Sequence, residues 1–207
     1  MKKKPSAAVR GDVQTKGVRT RRKIVAEAAS IFNRRGYEGA SLSDLMAATG
    51  LKKGGIYRHF SSKEELAAEA FDYTWDAARE CREPAVDAQE DAVAWLKALI
   101  DNFVTRRPAV PGGCPLLNTA IEADDGNLLL RARVTKALQH WTTRLETIVK
   151  TGMKKRQIRG NVDAKTVATV IVATLEGGLM ISRLERSDDA LRRAQAHLND
   201  YLSRIAA

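Results

Sequence analysis

The 207-residue chain has 35 Lys and Arg residues, 25 Asp and Glu residues and a formal net charge of +10 at pH 7. Its length fits one large domain or two small ones, and with only 5% aromatic residues its core depends on aliphatic side chains, which favours helices over a β-sandwich. The longest apolar stretch, Val167 to Leu175, is too short to span a membrane, and the basic N-terminus lacks the apolar segment of a signal peptide. Two cysteines, Cys81 and Cys114, are too few for a disulfide framework and indicate a reducing cytoplasm.

The excess positive charge lies at the N-terminal end of the chain. Residues 1–63 contain 15 Lys and Arg against 4 Asp and Glu, whereas residues 64–207 contain 20 against 21. Residues 1–19, interpreted as a basic flexible tail, carry +5 of the +11 in the first segment, so the rest belongs to a part whose pattern is that of a folded domain. This asymmetry predicts an N-terminal part that binds a polyanion and a second part with another role.

Helical periodicity begins after the basic tail. Thr20 is the predicted N-cap of a first helix, and Gly36 is its predicted end. A second, short helix begins at Ser41, where Asp44 completes an acidic capping box, and ends at Gly50. These signals predict two helices separated by a short loop.

The remaining elements are also predicted to be helical. A short third segment covers 53–59, and Ser62 with Glu65 forms the capping signal of a long helix that reaches about Arg82. Further helices are predicted at about 88–106, 115–123, 126–157, 163–184 and 187–205. Because no segment alternates with a period of two between turn signals, we predict an all-α fold.

The segment from Ser41 to His59 has the form of a helix-turn-helix, since two short helices flank a tight turn that contains glycine. In such a motif the second helix enters the major groove of DNA. We expect Tyr57, His59 and Lys63 to contact the phosphate backbone, and Lys53 and Arg58 to read bases. The predicted DNA-contacting residues are Ser41, Ser43, Lys52, Lys53, Gly54, Gly55, Tyr57, Arg58, His59 and Lys63. An ordinary helical hairpin with surface lysines is the alternative.

The 47-residue run from Thr20 to Leu66 resembles the N-terminal domain of the TetR/AcrR family of transcriptional regulators. Its most specific parts are Gly-Ile-Tyr-Arg-His-Phe at 55–60 and Lys-Glu-Glu-Leu at 63–66. The resemblance implies about nine helices, with a DNA-binding domain at 20–62 and an effector-binding and dimerisation domain at 63–207. It also implies a homodimeric bacterial repressor that a small-molecule inducer releases from a palindromic operator in double-stranded DNA.

The resemblance further implies a ligand pocket among the central helices. Aromatic and aliphatic residues with a few polar groups are typical of such a pocket. The candidates are Trp95, Leu99, Asn102, Phe103, Cys114, Leu117, Asn118, Ile121, Trp141 and Leu145. Trp75 is a further aromatic residue of these helices, and Glu122 and His140 are further polar residues that could orient a ligand. For each of these residues, plain core packing is the alternative.

Cys114 precedes Pro115, a residue favoured at the first position of a helix, and is therefore predicted to lie at an N-cap. The helix dipole at this position favours the thiolate and would lower the pKa of the thiol. Some TetR-type regulators sense electrophiles or oxidants through a cysteine, and Cys114 is the candidate for that role. The alternative is a small buried hydrophobic residue.

The last two predicted helices are the candidates for a two-fold symmetric dimer interface. Its predicted residues are Val170, Ile171, Thr174, Gly178, Leu179, Ser182, Leu191, Leu198, Tyr201 and Leu202. Glycine inside a helix costs stability, so close helix packing is a physical reason for Gly178. Packing within the monomer alone is the alternative.

The sequence does not indicate an enzyme, a cofactor or a metal site. Its three histidines are isolated, and it has neither a phosphate-binding loop nor a nucleophile spaced with a base. Two alternative functions stay open: a non-specific architectural DNA-binding protein, and a small all-α enzyme. Competition between a specific site and random duplex DNA separates the regulator from the architectural protein.

Overall fold

The computed structural model describes residues 16–82, 91–123 and 126–207, and these contain nine helices and no strand beyond one isolated bridge between Ile158 and Ala206. The helices are α1 Lys16–Gly39, α2 Leu42–Thr49, α3 Lys53–Tyr57, α4 Lys63–Arg82, α5 Ala92–Thr105, α6 Pro115–Ala123, α7 Leu128–Lys154, α8 Ala164–Glu185 and α9 Asp189–Ile205. The all-α prediction is confirmed.

The first helix begins earlier than the sequence suggested. Thr20 is not an N-cap, because it lies inside α1 and its hydroxyl donates a hydrogen bond to the carbonyl of Lys16, one turn earlier, at 3.0 Å. Residues 16–19 of the predicted tail are therefore helical, while residues 1–15 lie outside the described residues. Likewise α5 begins at Ala92, capped by Asp91, and the predicted residues 88–90 are not among those described.

Local capping follows the sequence closely at α2. The Ser41 hydroxyl accepts from the backbone N–H of Asp44, whose carboxylate accepts from the N–H of Ser41, both at 3.1 Å. Gly50 ends α2 in the left-handed region, with φ of 67°. At α4 only half of the predicted box forms: Ser62 accepts from the N–H of Glu65, but the Glu65 carboxylate accepts from Ser61 instead.

Two hydrophobic clusters organise the chain, and α4 contributes to both. The first cluster joins α1, α2 and α3 through residues such as Ile24, Leu45 and Ile56. The second occupies the space among α4 to α9. Because Leu66 of α4 lies in the first cluster and Phe71 in the second, one rigid helix connects the predicted DNA-binding part to the predicted effector part.

Helix α8 is apolar enough to cross a membrane by length and composition, which the sequence analysis did not expect. Its most apolar 18-residue window has a mean hydropathy of 1.5, yet half of that window is buried inside the protein. Val167, Ile171 and Leu175 are almost completely buried in the second cluster. Packing as a core helix therefore accounts for its composition.

Candidate nucleic-acid interface and effector cavity

The turn between α2 and α3 is held from beneath by buried side chains. Leu45 of α2 and Ile56 of α3 are each 1% exposed and pack in the same cluster as Phe60. Thr49 secures the turn, since its hydroxyl donates to the carbonyl of Leu45 at 2.7 Å and accepts from the N–H of Leu51. The predicted helix-turn-helix is thus formed, although α3 ends at Tyr57 rather than at His59.

The outer face of α3 presents cations. Lys52, Lys53 and Arg58 are exposed, and none of the three forms an ion pair within the described part of the chain. Tyr57 is also exposed, whereas His59 is half-buried. Exposed lysine and arginine without carboxylate partners are suited to phosphate and base contacts.

Several other predicted DNA contacts make bonds within the protein. The Ser41 hydroxyl lies 2.7 Å from a carboxylate oxygen of Asp44 and 3.0 Å from the hydroxyl of Ser43. The ammonium of half-buried Lys63 lies 4.3 Å from the centre of the Tyr37 ring, a cation–π contact. Gly54 is open to solvent, whereas Gly55 packs on the Leu51 side chain and admits little additional bulk. The predicted DNA-contacting role of these residues stays a prediction.

Helix α6 contacts the end of α1 through a carboxylate. Glu122 accepts from the backbone N–H groups of Tyr37 and Glu38, at 2.6 and 2.7 Å. The geometry depends on Gly36, whose φ of 77° kinks α1 and whose missing Cβ would lie 2.6 Å from a Glu122 oxygen. Glu122 was considered from sequence as a ligand-orienting residue, but it does not line the apolar cavity between α4, α5, α7 and α8. Its contact, which was not predicted, fastens α6 to the helix that carries the DNA-binding part.

A second polar contact reinforces the same junction. The side-chain amide of Asn118 donates to the backbone carbonyls of Asn33 and Gly112, each at 2.8 Å. Asn33 in turn donates to the carbonyl of Pro111 at 3.1 Å. Asn118 was predicted to bind ligand, and its amide joins α6, α1 and the loop before α6. Its role in ligand binding stays a prediction.

A cavity of about 60 Å³ lies between α4, α5, α7 and α8. Its lining is Trp75, Ala78, Arg79, Arg82, Leu99, Ile100, Phe103, His140, Trp141, Arg144, Leu145, Ile171 and Leu175. Trp141 is the central aromatic group, with ring centres of Phe103 at 5.7 Å and Trp75 at 6.2 Å. Four of the predicted ligand residues line this cavity, namely Leu99, Phe103, Trp141 and Leu145, together with Trp75 and His140.

On the α4 side of the cavity the sequence indicated Trp75 but none of the arginines. Trp75, Arg79 and Arg82 come from α4, and Arg144 comes from α7. A spacing of 75, 79 and 82 along one helix was the available signal, because these positions lie on the same face. The apolar cavity thus carries three guanidinium groups that were not predicted.

Other predicted ligand residues lie elsewhere for identifiable reasons. Trp95 borders a neighbouring cleft, Leu117 packs against the second cluster, and Ile121 is 77% exposed on the outer side of α6. Asn102 is buried, donates to the carbonyl of Arg82 at 3.1 Å and accepts from Arg106, so it connects the ends of α4 and α5. Helical spacing indicated the correct helices but not which side of each faces the cavity.

The prediction that Cys114 is a reactive thiol in the cavity is corrected by its burial. Cys114 is 1% exposed and is not part of the cavity lining. Burial, reinforced by the nearby Glu176 carboxylate, raises the pKa of the Cys114 thiol to about 12. The loss of hydration at this helix start therefore outweighs the helix dipole and the opposing charge of Arg82.

We expect Cys114 to be unreactive in the folded protein. A thiol with a pKa near 12 is only about 0.01% thiolate at pH 8. Iodoacetamide at pH 8 should modify Cys81, which is half-buried, and should reach Cys114 only after denaturation in urea. Peptide mass spectrometry measures both sites in one sample. Rapid labelling of Cys114 in the native state would contradict this reading and restore it as a candidate sensor.

No cluster of three His, Cys, Asp or Glu side chains that could hold a metal ion occurs within residues 16–82, 91–123 and 126–207. The buried ionisable residues near the cavity are Cys114 and Glu176. Burial raises the pKa of the Glu176 carboxyl group. Aromatic rings and guanidinium groups are the main chemical groups that line the cavity itself.

Two family models match the chain. The model of bacterial regulatory proteins of the tetR family matches residues 24–70, and the tetracyclin repressor-like C-terminal domain matches residues 92–198. A TetR transcriptional regulator from Chloroflexus aurantiacus has a TM-score of 0.87 and 44% identity, with 92% of this chain and 98% of that chain covered. The chain belongs to the TetR family.

Other relatives extend over nearly the whole length. A TetR-family regulator from Cytophaga hutchinsonii has a TM-score of 0.87 at 34% identity, covering 94% of this chain and 98% of its own. The transcriptional regulator LmrA of Bacillus subtilis is 28% identical over 193 residues, which is 89% of this chain and 97% of LmrA. TetR proteins are transcriptional regulators rather than enzymes, and this chain is a DNA-binding regulator of that family.

TetR regulators act as dimers. Most of the residues predicted for the dimer interface are buried within a single chain. At Gly178 a Cβ would lie 2.8 Å from the Cβ of Ala194, so the glycine permits close contact between α8 and α9 of one chain. The predicted interface residues buried in the monomer are Ile171, Gly178, Leu179, Ser182, Leu191, Leu198 and Leu202. Val170, Thr174 and Tyr201 are partly exposed and stay candidates.

Proposed function

We propose that this TetR-family protein is a homodimeric repressor in the bacterial cytoplasm that leaves a palindromic operator when a small molecule occupies the α4–α5–α7–α8 cavity. The observation that carries the DNA-binding part is the exposed face of α3, whose cations form no ion pair with any carboxylate that the structure describes. The similarity to DhaR of a Mycobacterium species, a transcriptional repressor 24% identical over 173 residues, supports repression rather than activation.

In this proposal each protomer inserts its α3 into one major groove. Two-fold symmetry then requires an inverted repeat with half-sites one helical turn, or a multiple of it, apart. Lys53 and Arg58 read bases, while Tyr57, His59 and Lys63 contact phosphates. The other predicted DNA-contacting residues, including Ser41 and Ser43 at the start of α2, are proposed to lie against the DNA backbone when α3 is in the major groove.

The dimer interface is proposed to lie on the outer face of α8. Met180, Ile181 and Leu184 are 44%, 42% and 78% exposed, although all three are large apolar residues. Ala173 and Gly177 continue the same face toward the start of the helix. A contiguous exposed apolar face of this kind is typical of an association surface.

Ligand occupancy is proposed to reach the DNA-binding part through α4 and α6. Helix α4 lines the cavity with its C-terminal half and packs against α1 with its N-terminal half, where Arg21 of α1 pairs with Glu65 of α4 at 2.6 Å. Glu122 of α6 contacts α1 independently. A ligand shifts the DNA-binding equilibrium only if it binds the released arrangement more tightly.

The decisive experiment is selection of genomic fragments with the purified full-length protein. We expect fragments that share an inverted repeat, with an affinity about a thousandfold or more above random duplex at physiological salt. Equal affinity for the selected and random duplexes would instead indicate an architectural DNA-binding protein.

Lys63→Ala is expected to weaken binding to all duplexes and to reduce the dependence of log K on log salt by about one unit, because Lys63 is proposed to contact a phosphate. Lys165→Ala is the matched control, because Lys165 is exposed at the start of α8, away from α3. Fluorescence anisotropy titrations across a salt series measure the slope. An unchanged slope in Lys63→Ala would remove Lys63 from the phosphate contacts.

A further inference from the structure

The loop between α5 and α6, residues 106–114 and here called the connecting loop, contacts both the DNA-binding part and the end of α8. Val110 is 8% exposed and packs in the first hydrophobic cluster, which also contains Ile24 of α1. Arg107, near the start of the loop, pairs with Asp188 between α8 and α9 at 2.8 Å. No residue of the loop is among the described residues that line the effector cavity, so its role is separate from ligand contact.

On the α8 side, the connecting loop is held by Arg183. The Arg183 guanidinium donates a hydrogen bond to the backbone carbonyl of Gly112. Gly113 permits this approach, since its φ is 94° and a Cβ there would overlap a guanidinium nitrogen of Arg183. Arg183 belongs to the turn of α8 that also carries Ile181 and Leu184 of the proposed dimer face. The loop is thus attached directly beside that face.

On the other side, the same carbonyl leads to α1. The side-chain amide of Asn118 donates to the carbonyls of both Gly112 and Asn33, each at 2.8 Å. The Asn33 amide donates in turn to the carbonyl of Pro111 at 3.1 Å. Asn33 is only 6% exposed, and a Cβ at Gly112 would lie 2.6 Å from its amide nitrogen. One carbonyl of the loop therefore accepts both from α8 and from the amide that contacts α1.

The connecting loop adds to the connection that α4 makes between the two clusters. A unit carried by one helix pivots when that helix tilts, whereas a second attachment away from the helix axis opposes the pivot. Glu122 supplies one such attachment, between α1 and α6. The loop supplies another, which leads directly to α8, where the two protomers are proposed to meet. It therefore bears on the position of α3 relative to the two-fold axis.

We propose that the connecting loop, through Arg183, Asn118 and Asn33, fixes the separation of the two α3 helices in the dimer and so determines which operator spacing the protein accepts. This inference rests on the proposed homodimer and its inverted-repeat operator. The three side chains are positioning residues, since they act through the loop and not through contacts with bases.

The geometry of DNA makes this role measurable. One added base pair moves a half-site by about 3.4 Å and rotates it by about 35° around the duplex. A dimer whose α3 helices are held firmly rejects that change, because the duplex must be twisted or bent to fit. A DNA-binding part that pivots follows the half-site instead. The penalty for a changed spacing therefore reports how firmly α3 is held.

The test uses duplexes that carry the selected inverted repeat with its centre unchanged, shortened by one base pair or lengthened by one. We expect the wild-type protein to bind each altered duplex at least about thirtyfold more weakly than the unchanged one in anisotropy titrations. Arg183→Met and, separately, Asn118→Ala each remove one donor to the Gly112 carbonyl. Each should reduce the penalty to about fivefold or less while binding the unchanged duplex within about tenfold of wild type, because only the entropy of ordering the looser part is lost.

Arg192→Met is the matched control, because Arg192 is exposed on α9 and forms no hydrogen bond or ion pair with the connecting loop among the described contacts. The double variant should have the same penalty as the single variants, since both contacts act in series through one carbonyl. Light scattering and circular dichroism check that each variant is a folded dimer, which we expect for Arg183→Met because Arg183 is exposed.

Two outcomes would overturn this inference and leave the proposed homodimer intact: a wild-type protein that tolerates both altered duplexes, or variants that keep the wild-type penalty. Selected genomic fragments without an inverted repeat would instead overturn the proposed function and this inference with it.

Discussion

Ile181→Glu is expected to convert the regulator into a monomer and to reduce operator affinity about a hundredfold or more. On the proposed interface, two-fold symmetry brings two copies of the new carboxylate into one apolar contact, where charges are costly unless paired. Loss of the dimer also removes the effective concentration that the first bound protomer provides for the second, a factor of about 10²–10⁴.

Light scattering and anisotropy with the selected duplex measure both consequences. The matched control is Ile121→Glu, which introduces the same change at an exposed position on α6. Since Ile181 is 42% exposed in the monomer, we expect the fold itself to persist, with an unchanged helical circular dichroism spectrum. A variant that stays dimeric at micromolar concentration would exclude the outer face of α8 as the interface.

Glu122→Ala is expected to lower the free energy of unfolding by about 2 kcal/mol and the Tm by about 4–8 °C, because it leaves two backbone N–H groups of α1 without their carboxylate. The same change removes a direct contact between α6 and the DNA-binding part. We therefore expect operator affinity to respond less to a cavity ligand, even where the ligand binds normally.

Thermal unfolding and operator titrations with and without a ligand of the cavity separate these effects. Glu146→Ala is the control for loss of a carboxylate, since Glu146 forms a surface ion pair with Lys150, one turn along α7, at 2.9 Å. Such a surface pair contributes little, so the control should shift the Tm by less than about 2 °C. Full ligand response in Glu122→Ala would assign the coupling to α4 alone.

The prediction from sequence was most successful where the determining interactions are local. The Ser41–Asp44 box and the left-handed Gly50 depend on residues within one helical turn, so their boundaries were predicted correctly. Thr20 is the exception, because a hydroxyl that can cap a helix can also donate to a carbonyl one turn earlier. The choice between the two depends on whether the preceding residues are helical.

The amino-acid sequence by itself determined the all-α class, the helix-turn-helix and the concentration of charge around it, because capping and periodicity act over a few residues. Tertiary structure decided that Arg82 enters the cavity while Ile121 faces solvent, since the orientation of each helix depends on contacts between residues far apart in the chain. It also decided that Cys114 is a neutral, buried thiol. Burial by segments distant in the chain raises the pKa of the Cys114 thiol by more than the dipole of α6 lowers it. This burial cannot be predicted from the residues next to Cys114.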